Sequence, residues 1–229
     1  MNFSQVIAID GPSGSGKSTI ARLVAQKVSA IYVDTGAMFR ALGYFCHQEL
    51  GSLSATDQVI NILDRVKIEY PGGDQRLILI NGEDLTQTIR QHHVSALASE
   101  ISLIPAVREF LLTFQHTLVD DHLCVMEGRD IGTVVLPHSL CKIFLTASAE
   151  VRAQRRYNQL EAKGELKGVN LKQVLQDMEE RDHRDSHRVE APLRRAEDAK
   201  LIDSENMSIE QVSDMVVEYY RQRVKETSR

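Results

Sequence analysis

The chain has 229 residues, 42% of them hydrophobic, enough to enclose one ordinary α/β domain with a modest insertion but not two independent domains. Its net charge of −5 excludes a broad face for a nucleic acid polymer or an anionic membrane, so any anion site must be local. Cys46, Cys124 and Cys141 are widely spaced with no C-x-x-C pair, which excludes a disulfide framework and a cysteine zinc site. No stretch approaches the ~18 to 20 consecutive apolar residues of a membrane span, and Met1 to Gln5 has no basic, apolar leader character. With no heptad or long apolar seam either, a soluble cytoplasmic monomer is expected.

The first element is a strand over Val6 to Ile9, followed at once by Gly11-Pro12-Ser13-Gly14-Ser15-Gly16-Lys17-Ser18, the phosphate-loop pattern G-x-x-x-x-G-K-[ST]. Glycines at 11, 14 and 16 let the backbone bend so that successive N–H groups converge on phosphate oxygens. Lys17 supplies positive charge at the β- and γ-phosphates, Ser18 offers a hydroxyl to Mg²⁺, and a helix from Thr19 to Val28 directs its positive end at the anion. A second strand at Ile31 to Val33 leads to Arg40.

Arg65 to Tyr70 alternates polar and apolar, Pro71-Gly72-Gly73-Asp74 is turn chemistry, and Arg76 to Ile80 forms a second strand ending at an Asn81-Gly82 turn, which predicts an inserted antiparallel hairpin. Leu85 to Val119 is helical with a break before Pro105. Strands follow at Leu123 to Met126, Ile143 to Leu145 and Leu201 to Ile202, and a final helix runs from Ile209 to about Val224 behind Ser208. This alternation predicts a parallel sheet covered by helices on both faces, its ligand crevice at the carboxyl ends of the strands. Cys124 and Cys141 fall in apolar runs and are expected to be buried.

Arginines recur at Arg40, Arg108, Arg129, Arg152, Arg155, Arg156, Arg181, Arg184 and Arg188. A solvated helix face accounts for some of them, Arg152, Arg156 and Arg184 among these, but poorly for Arg40 and Arg129, which follow strand ends. Phosphoryl transfer between two nucleotides collects several negative charges, and forked guanidinium groups suit that task because they stay charged and donate paired hydrogen bonds.

The chain resembles the bacterial cytidylate (CMP) kinases, within the nucleoside monophosphate kinase group. The resemblance rests on Ile9 to Ser18, on Asp34-Thr35-Gly36-Ala37-Met38-Phe39-Arg40, on Gly128-Arg129-Asp130-Ile131-Gly132-Thr133-Val134-Val135, on Lys142 to Leu145, and on Glu180 to Arg188. It implies a three-layer α/β/α core with a five-stranded parallel sheet (1–60, 87–154 and 171–229), a nucleoside monophosphate-binding insertion at about 61–86 and a short lid at about 155–170. It implies ATP and CMP or dCMP as substrates, with Mg²⁺.

In the site so implied, Gly11, Pro12, Ser13, Gly14, Ser15, Gly16, Lys17, Ser18 and Thr19 bind ATP, with Arg155 from the lid. Thr35, Arg40 and Arg129 hold the acceptor's phosphate. Ser99, Arg108 and Asp130 meet the cytosine edge, where a carboxylate accepts from the exocyclic amine that uracil lacks. Arg181, Asp185 and Arg188 meet its sugar and the phosphates, although Asp185 also has the spacing of a helix ion pair with either arginine. Glu127 stands where the family commonly carries Asp, a place for a Mg²⁺-bound water, and Thr35 replaces a common Ser.

Lys17, Arg129, Arg181 and Asp34 are the candidate catalytic residues. Asp34 is the only well-placed base should the acceptor be a hydroxyl. A kinase for UMP, AMP or a shikimate-like metabolite is the nearest alternative, and a nucleotide switch the next, although no N-K-x-D guanine reader is present. His183 and His187 lack the Glu of a zinc helix motif and are ringed by arginines, and His92 and His93 face different sides, so no metal pair is expected.

Overall fold

A computed structural model describes residues 6–70, 77–91, 93–119, 122–166 and 168–227. The expected hairpin turn Pro71 to Asp74, the start of the next strand at Arg76, His92, Lys167 of the expected lid and the segment Met1 to Gln5 lie outside the described residues. The chain divides into two compact units, one of residues 1–31 and 121–229, the other of residues 32–120.

The first unit is built on β1 (Val6–Asp10), β6 (Cys124–Gly128), β7 (Cys141–Thr146) and β8 (Lys200–Asp203). Together with β2 (Ile31–Asp34) these form a five-stranded parallel sheet in the order β2-β6-β1-β7-β8. All five residues of β1 and of β6 are buried, as the centre of a parallel sheet requires when helices cover both faces. Val6 is level with Cys124 and Asp10 with Gly128, so both strands deliver their last residues at one end of the sheet. The five predicted strands all form; four are extended by one to three residues, and β6 starts one residue after the predicted Leu123 and ends two beyond Met126.

Helix α1 (Lys17–Lys27) packs on β6 and on α8 (Ile209–Thr227). At the far end of α1, Lys27 Nζ reaches Glu210 at 2.6 Å, Asp214 at 2.7 Å and Ser213 at 2.8 Å. Ser208 caps α8: its Oγ accepts from Gln211 N at 3.1 Å, while Gln211 Oε1 accepts from Ser208 N at 2.9 Å, a reciprocal capping box. Helices α6 (Ala149–Ala162) and α7 (Leu171–His187) enclose a small core of Ala153, Leu160, Val174 and Met178, against which Leu166 and Val169 of the intervening segment pack. The first half of the expected lid is thus the last two turns of α6. No helix among the described residues is long and apolar enough to cross a membrane.

In the second unit, α2 (Thr35–Leu50) packs on α4 (Val94–Ile101), with α3 (Thr56–Leu63) and α5 (Pro105–Thr117) around them. The helical stretch predicted over 85–119 is a single 3₁₀ turn at Thr88–Arg90 followed by α4 and α5. The break before Pro105 falls where expected, with Ile104 extended at φ −86° and ψ 114°.

The small sheet has three strands, β3 (Ile68–Glu69), β4 (Leu79–Ile80) and β5 (Glu83–Asp84), all antiparallel. The two-strand hairpin is therefore corrected by one strand. Asn81 and Gly82 turn the chain at φ 52° and 84°, the mirror-image turn that suits strand twist, and carry it straight back into β5.

Candidate active site

The phosphate loop leaves β1 at Gly11, where a Cβ would stand 2.0 Å from the Leu145 carbonyl oxygen on β7, so only glycine fits. Gly14, at φ 73°, lies against α6 and α7: a Cβ there would meet Met178 Cε at 2.7 Å and Arg152 Cβ at 3.1 Å. Lys17 is buried at the first position of α1, and its ammonium turns back to donate to Pro12 O at 2.7 Å, with Ser15 Oγ at 3.5 Å. Ser18 and Thr19 are exposed on the first turn of α1.

The ends of β1 and β6 gather the charges around that lysine. Burial, then the neighbouring Arg129 charge, pushes the Lys17 ammonium down to about 7, against the pull of Glu127. Glu127 itself is buried one residue before the end of β6, level with Ile9. Asp10 accepts from Ile131 N at 2.8 Å and Gly132 N at 2.7 Å, tying down the π-helical turn Ile131–Val135 that follows Asp130. Burial outweighs both of those hydrogen bonds and pushes the Asp10 carboxyl up to about 7.

Arg129 donates from Nε to Asp185 at 2.9 Å. Burial works against its charge, but the Asp185 carboxylate more than compensates and holds the guanidinium above its usual range. Burial likewise opposes the charge of Asp185, yet Arg129, then Arg181, whose Nε is 4.0 Å away, keep its carboxyl below the usual carboxylate range. Asp130 and Arg188 form a second buried pair at 3.3 Å, and Arg188 Nε also donates to Ala191 O at 2.7 Å. Lys17, Glu127, Arg129, Asp130, Arg181, Asp185 and Arg188 are thus all placed in the first unit, with ion pairs linking Arg129 and Arg181 to Asp185 and Asp130 to Arg188.

Arg155 is placed elsewhere in that unit. Its guanidinium donates to Ser204 Oγ at 3.0 Å and Ser204 O at 2.6 Å, and Ser204 Oγ lies 3.4 Å from Ser15 O of the phosphate loop. The reading of the sequence missed three residues that shape the loop: Asp10, Arg152 and Asp182. Arg152, which a solvated helix face would leave in water, is buried and donates from Nη1 to Ser13 O at 2.9 Å, while Asp182 accepts from Ser13 N at 3.0 Å. For Asp10 the available signal was a carboxylate closing an otherwise apolar buried strand, which needs donors. For Arg152 and Asp182, 30 residues apart on two helices, no local spacing announces the contact.

The second unit carries the remaining predicted residues. Asp34 caps α2 by accepting from Ala37 N at 2.9 Å, and its other oxygen pairs with Arg40 at 2.9 Å. Its own N–H donates to the Tyr70 hydroxyl at 3.0 Å. Both carboxylate oxygens are thereby engaged in positioning α2 and Arg40. Thr35 is buried on the first turn of α2. Arg108 on α5 lies over the Phe39 ring at 5.6 Å, and the Ser99 hydroxyl on α4 is buried with no hydrogen-bond partner among the described residues.

A family model for cytidylate kinase matches residues 7–222. Among curated relatives, the cytidylate kinase of Fervidobacterium nodosum is 45% identical over 217 residues, covering 95% of this chain and 96% of that protein. That of Caldicellulosiruptor saccharolyticus is 46% identical over 216 residues, covering 93% and 94% respectively. That of Thermotoga maritima is 44% identical over 219 residues, covering 95% and 97%.

Proposed function

The chain belongs to the cytidylate kinase family, and from that premise we propose that it transfers the γ-phosphoryl group of ATP to CMP or dCMP, giving ADP and CDP or dCDP. The observation that carries this reading is the buried cluster at the ends of β1 and β6, where Lys17 sits beside Arg129, Arg181 and the carboxylates between them. Asp185 compensates the buried arginines, whereas the Lys17 ammonium stays disfavoured until an anion arrives, and phosphoryl transfer is catalysed mainly by positioning and by stabilising charge on the moving group.

Lys17 and the loop amides take the donor's phosphates. Arg129 and Arg181 steady the charge on the transferred group, held in orientation by Asp185. The acceptor's phosphate is already an oxyanion and needs no general base, so Asp34 serves as cap of α2 and support of Arg40. Thr35 and Arg40 are assigned to the acceptor's phosphate, and Asp185 and Arg188 to its sugar and phosphate. Ser99, Arg108 and Asp130 read the base, and the unpartnered buried Ser99 hydroxyl supports that assignment, because a native buried polar group finds a partner.

Ser18 and Glu127 offer hydroxyl and carboxylate oxygens, the hard donors that Mg²⁺ takes. Ser18 would hold the ion directly and Glu127 through water, and when bound it neutralises charge on the β- and γ-phosphate oxygens.

The test is ATP consumption with CMP, dCMP, UMP and AMP in turn. CMP or dCMP is expected to accelerate it at least ~5-fold more than UMP or AMP at equal concentration, since one well-placed base contact discriminates by ~1 to 3 kcal/mol. Equal rates with and without every monophosphate would remove the monophosphate kinase and leave the switch or a kinase for an acceptor of another class.

A further inference from the structure

Ser13, at the tip of the phosphate loop, is gripped through both halves of its backbone. Its N–H donates to Asp182 Oδ1 at 3.0 Å and its carbonyl accepts from Arg152 Nη1 at 2.9 Å. The same Arg152 nitrogen is paired with Asp182 Oδ2, and Arg152 Nε donates to Ala147 O at 3.0 Å, just past the end of β7. Both side chains are largely withdrawn from solvent, at 9% and 18% exposure. Arg152 lies on the first turn of α6 and Asp182 near the last turn of α7, so the grip closes across two helices that follow each other in the chain.

A loop of three glycines has little side-chain packing of its own and a high entropic cost of ordering. Its shape must be imposed by neighbours. A charged pair donating to a carbonyl and accepting from an amide of one residue supplies charge-assisted bonds in both directions. Gly14, pressed against Met178 and Arg152, extends the same contact by one residue.

We infer that the Arg152–Asp182 pair is a positioning device for ATP: it fixes the Ser13 peptide so that the following amides, Gly14 to Ser18, face the donor phosphates, without itself touching substrate. The inference rests on the phosphate loop being the ATP site.

The wild-type protein is first assayed for CMP-dependent ATP consumption, because absence of that activity removes the functional reading whatever the clamp does. Then ATP affinity is measured alone by equilibrium binding, with CMP affinity measured separately, for Asp182→Ala, Asp182→Asn, Arg152→Ala and the double Arg152→Ala/Asp182→Ala protein.

Asp182→Ala and Arg152→Ala are each expected to weaken ATP ~10- to 100-fold, the scale of a misplaced positioning contact, and to leave CMP affinity within ~2-fold. Asn keeps an oxygen that can accept from Ser13 N, so Asp182→Asn is expected to recover affinity to within ~5-fold of wild type. The double variant should lose no more than the worse single one, because the pair acts as a unit. ATP affinity unchanged in every variant overturns the inference. So does an equal loss of ATP and CMP affinity in Asp182→Asn, the mildest change and the least prone to misfold, since that is damage to the fold and not to the loop.

Discussion

The two units hold their charged residues by different means. In the first, charges sit at the ends of fully buried strands and are braced by partners far away in sequence: Asp10 by the amides of Ile131 and Gly132, Arg129 by Asp185, Asp130 by Arg188. In the second, the Asp34–Arg40 pair spans only six residues, belongs to one helix and its cap, and is 20% and 23% exposed. The first arrangement exists only when the whole sheet has formed. The second needs little more than the junction where Asp34 ends β2 and caps α2. Charge geometry in the first unit is therefore a property of the fold, whereas in the second it is a property of a local segment.

The comparison is broken hardest at its buried centre. Lys17→Ala is expected to lower kcat ~10²- to 10³-fold, the usual loss on removing one charge-stabilising donor, with CMP affinity changed only a few-fold. Steady-state kinetics beside direct CMP binding separates the two. The same variant sharpens the electrostatic argument. Free Lys17 titrates at about 7 because burial, then Arg129, disfavours its charge, and an arriving triphosphate favours it. ATP binding near pH 8 should therefore take up close to one proton in the wild type and markedly less in Lys17→Ala, as read by calorimetry in two buffers of different ionisation heat. In the free protein the sign is opposite to that of a salt-bridged lysine. Between pH 7 and the ordinary lysine value of 10.5 the unfolded chain binds more protons at this site, so stability gains from it as pH rises.

Asp130→Ala is next in size. It removes the carboxylate assigned to the cytosine amine and one ion pair of Arg188, and the ratio of kcat/KM for CMP over UMP should fall ~10- to 100-fold. An unchanged ratio would take Asp130 out of base recognition. The smallest effect belongs to the local pair. Asp34→Ala removes a cap and one ion pair at a helix start and should cost ~1 kcal/mol in urea denaturation. A loss as large as that from a broken buried network would show that α2 depends on more than its own cap.

The same contrast explains what could be read without the fold. The phosphate loop, the strands and the break before Pro105 were legible because each is a local pattern of glycines, apolar runs or a proline. Asp34 and Arg40 were visible for the same reason. The third strand Glu83–Asp84 escaped because two exposed acidic residues carry no strand signal, their pairing being imposed by the Asn81-Gly82 turn. The resemblance puts Arg155 in the lid as an ATP-binding residue, and its contact with Ser204 was not legible because it spans 49 residues. The pairing of Arg152 with Asp182 was hidden for that reason too, and nothing in an arginine's neighbours on α6 marks the one that turns inward.

The buried cysteines give the molecule a pair of internal clocks. Burial pushes the thiol of Cys46 up to about 11 and those of Cys124 and Cys141 up to about 12, so at pH 8 they are essentially unionised and inert towards alkylating reagents while the chain stays closed. Cys46 lies in α2 of the second unit, Cys124 and Cys141 in the central strands of the first. Reagent uptake at each position thus times the opening of its own surroundings, and the ratio of the Cys46 rate to that of Cys124 or Cys141 measures directly whether the unit around α2 breathes more often than the unit that carries the phosphate loop.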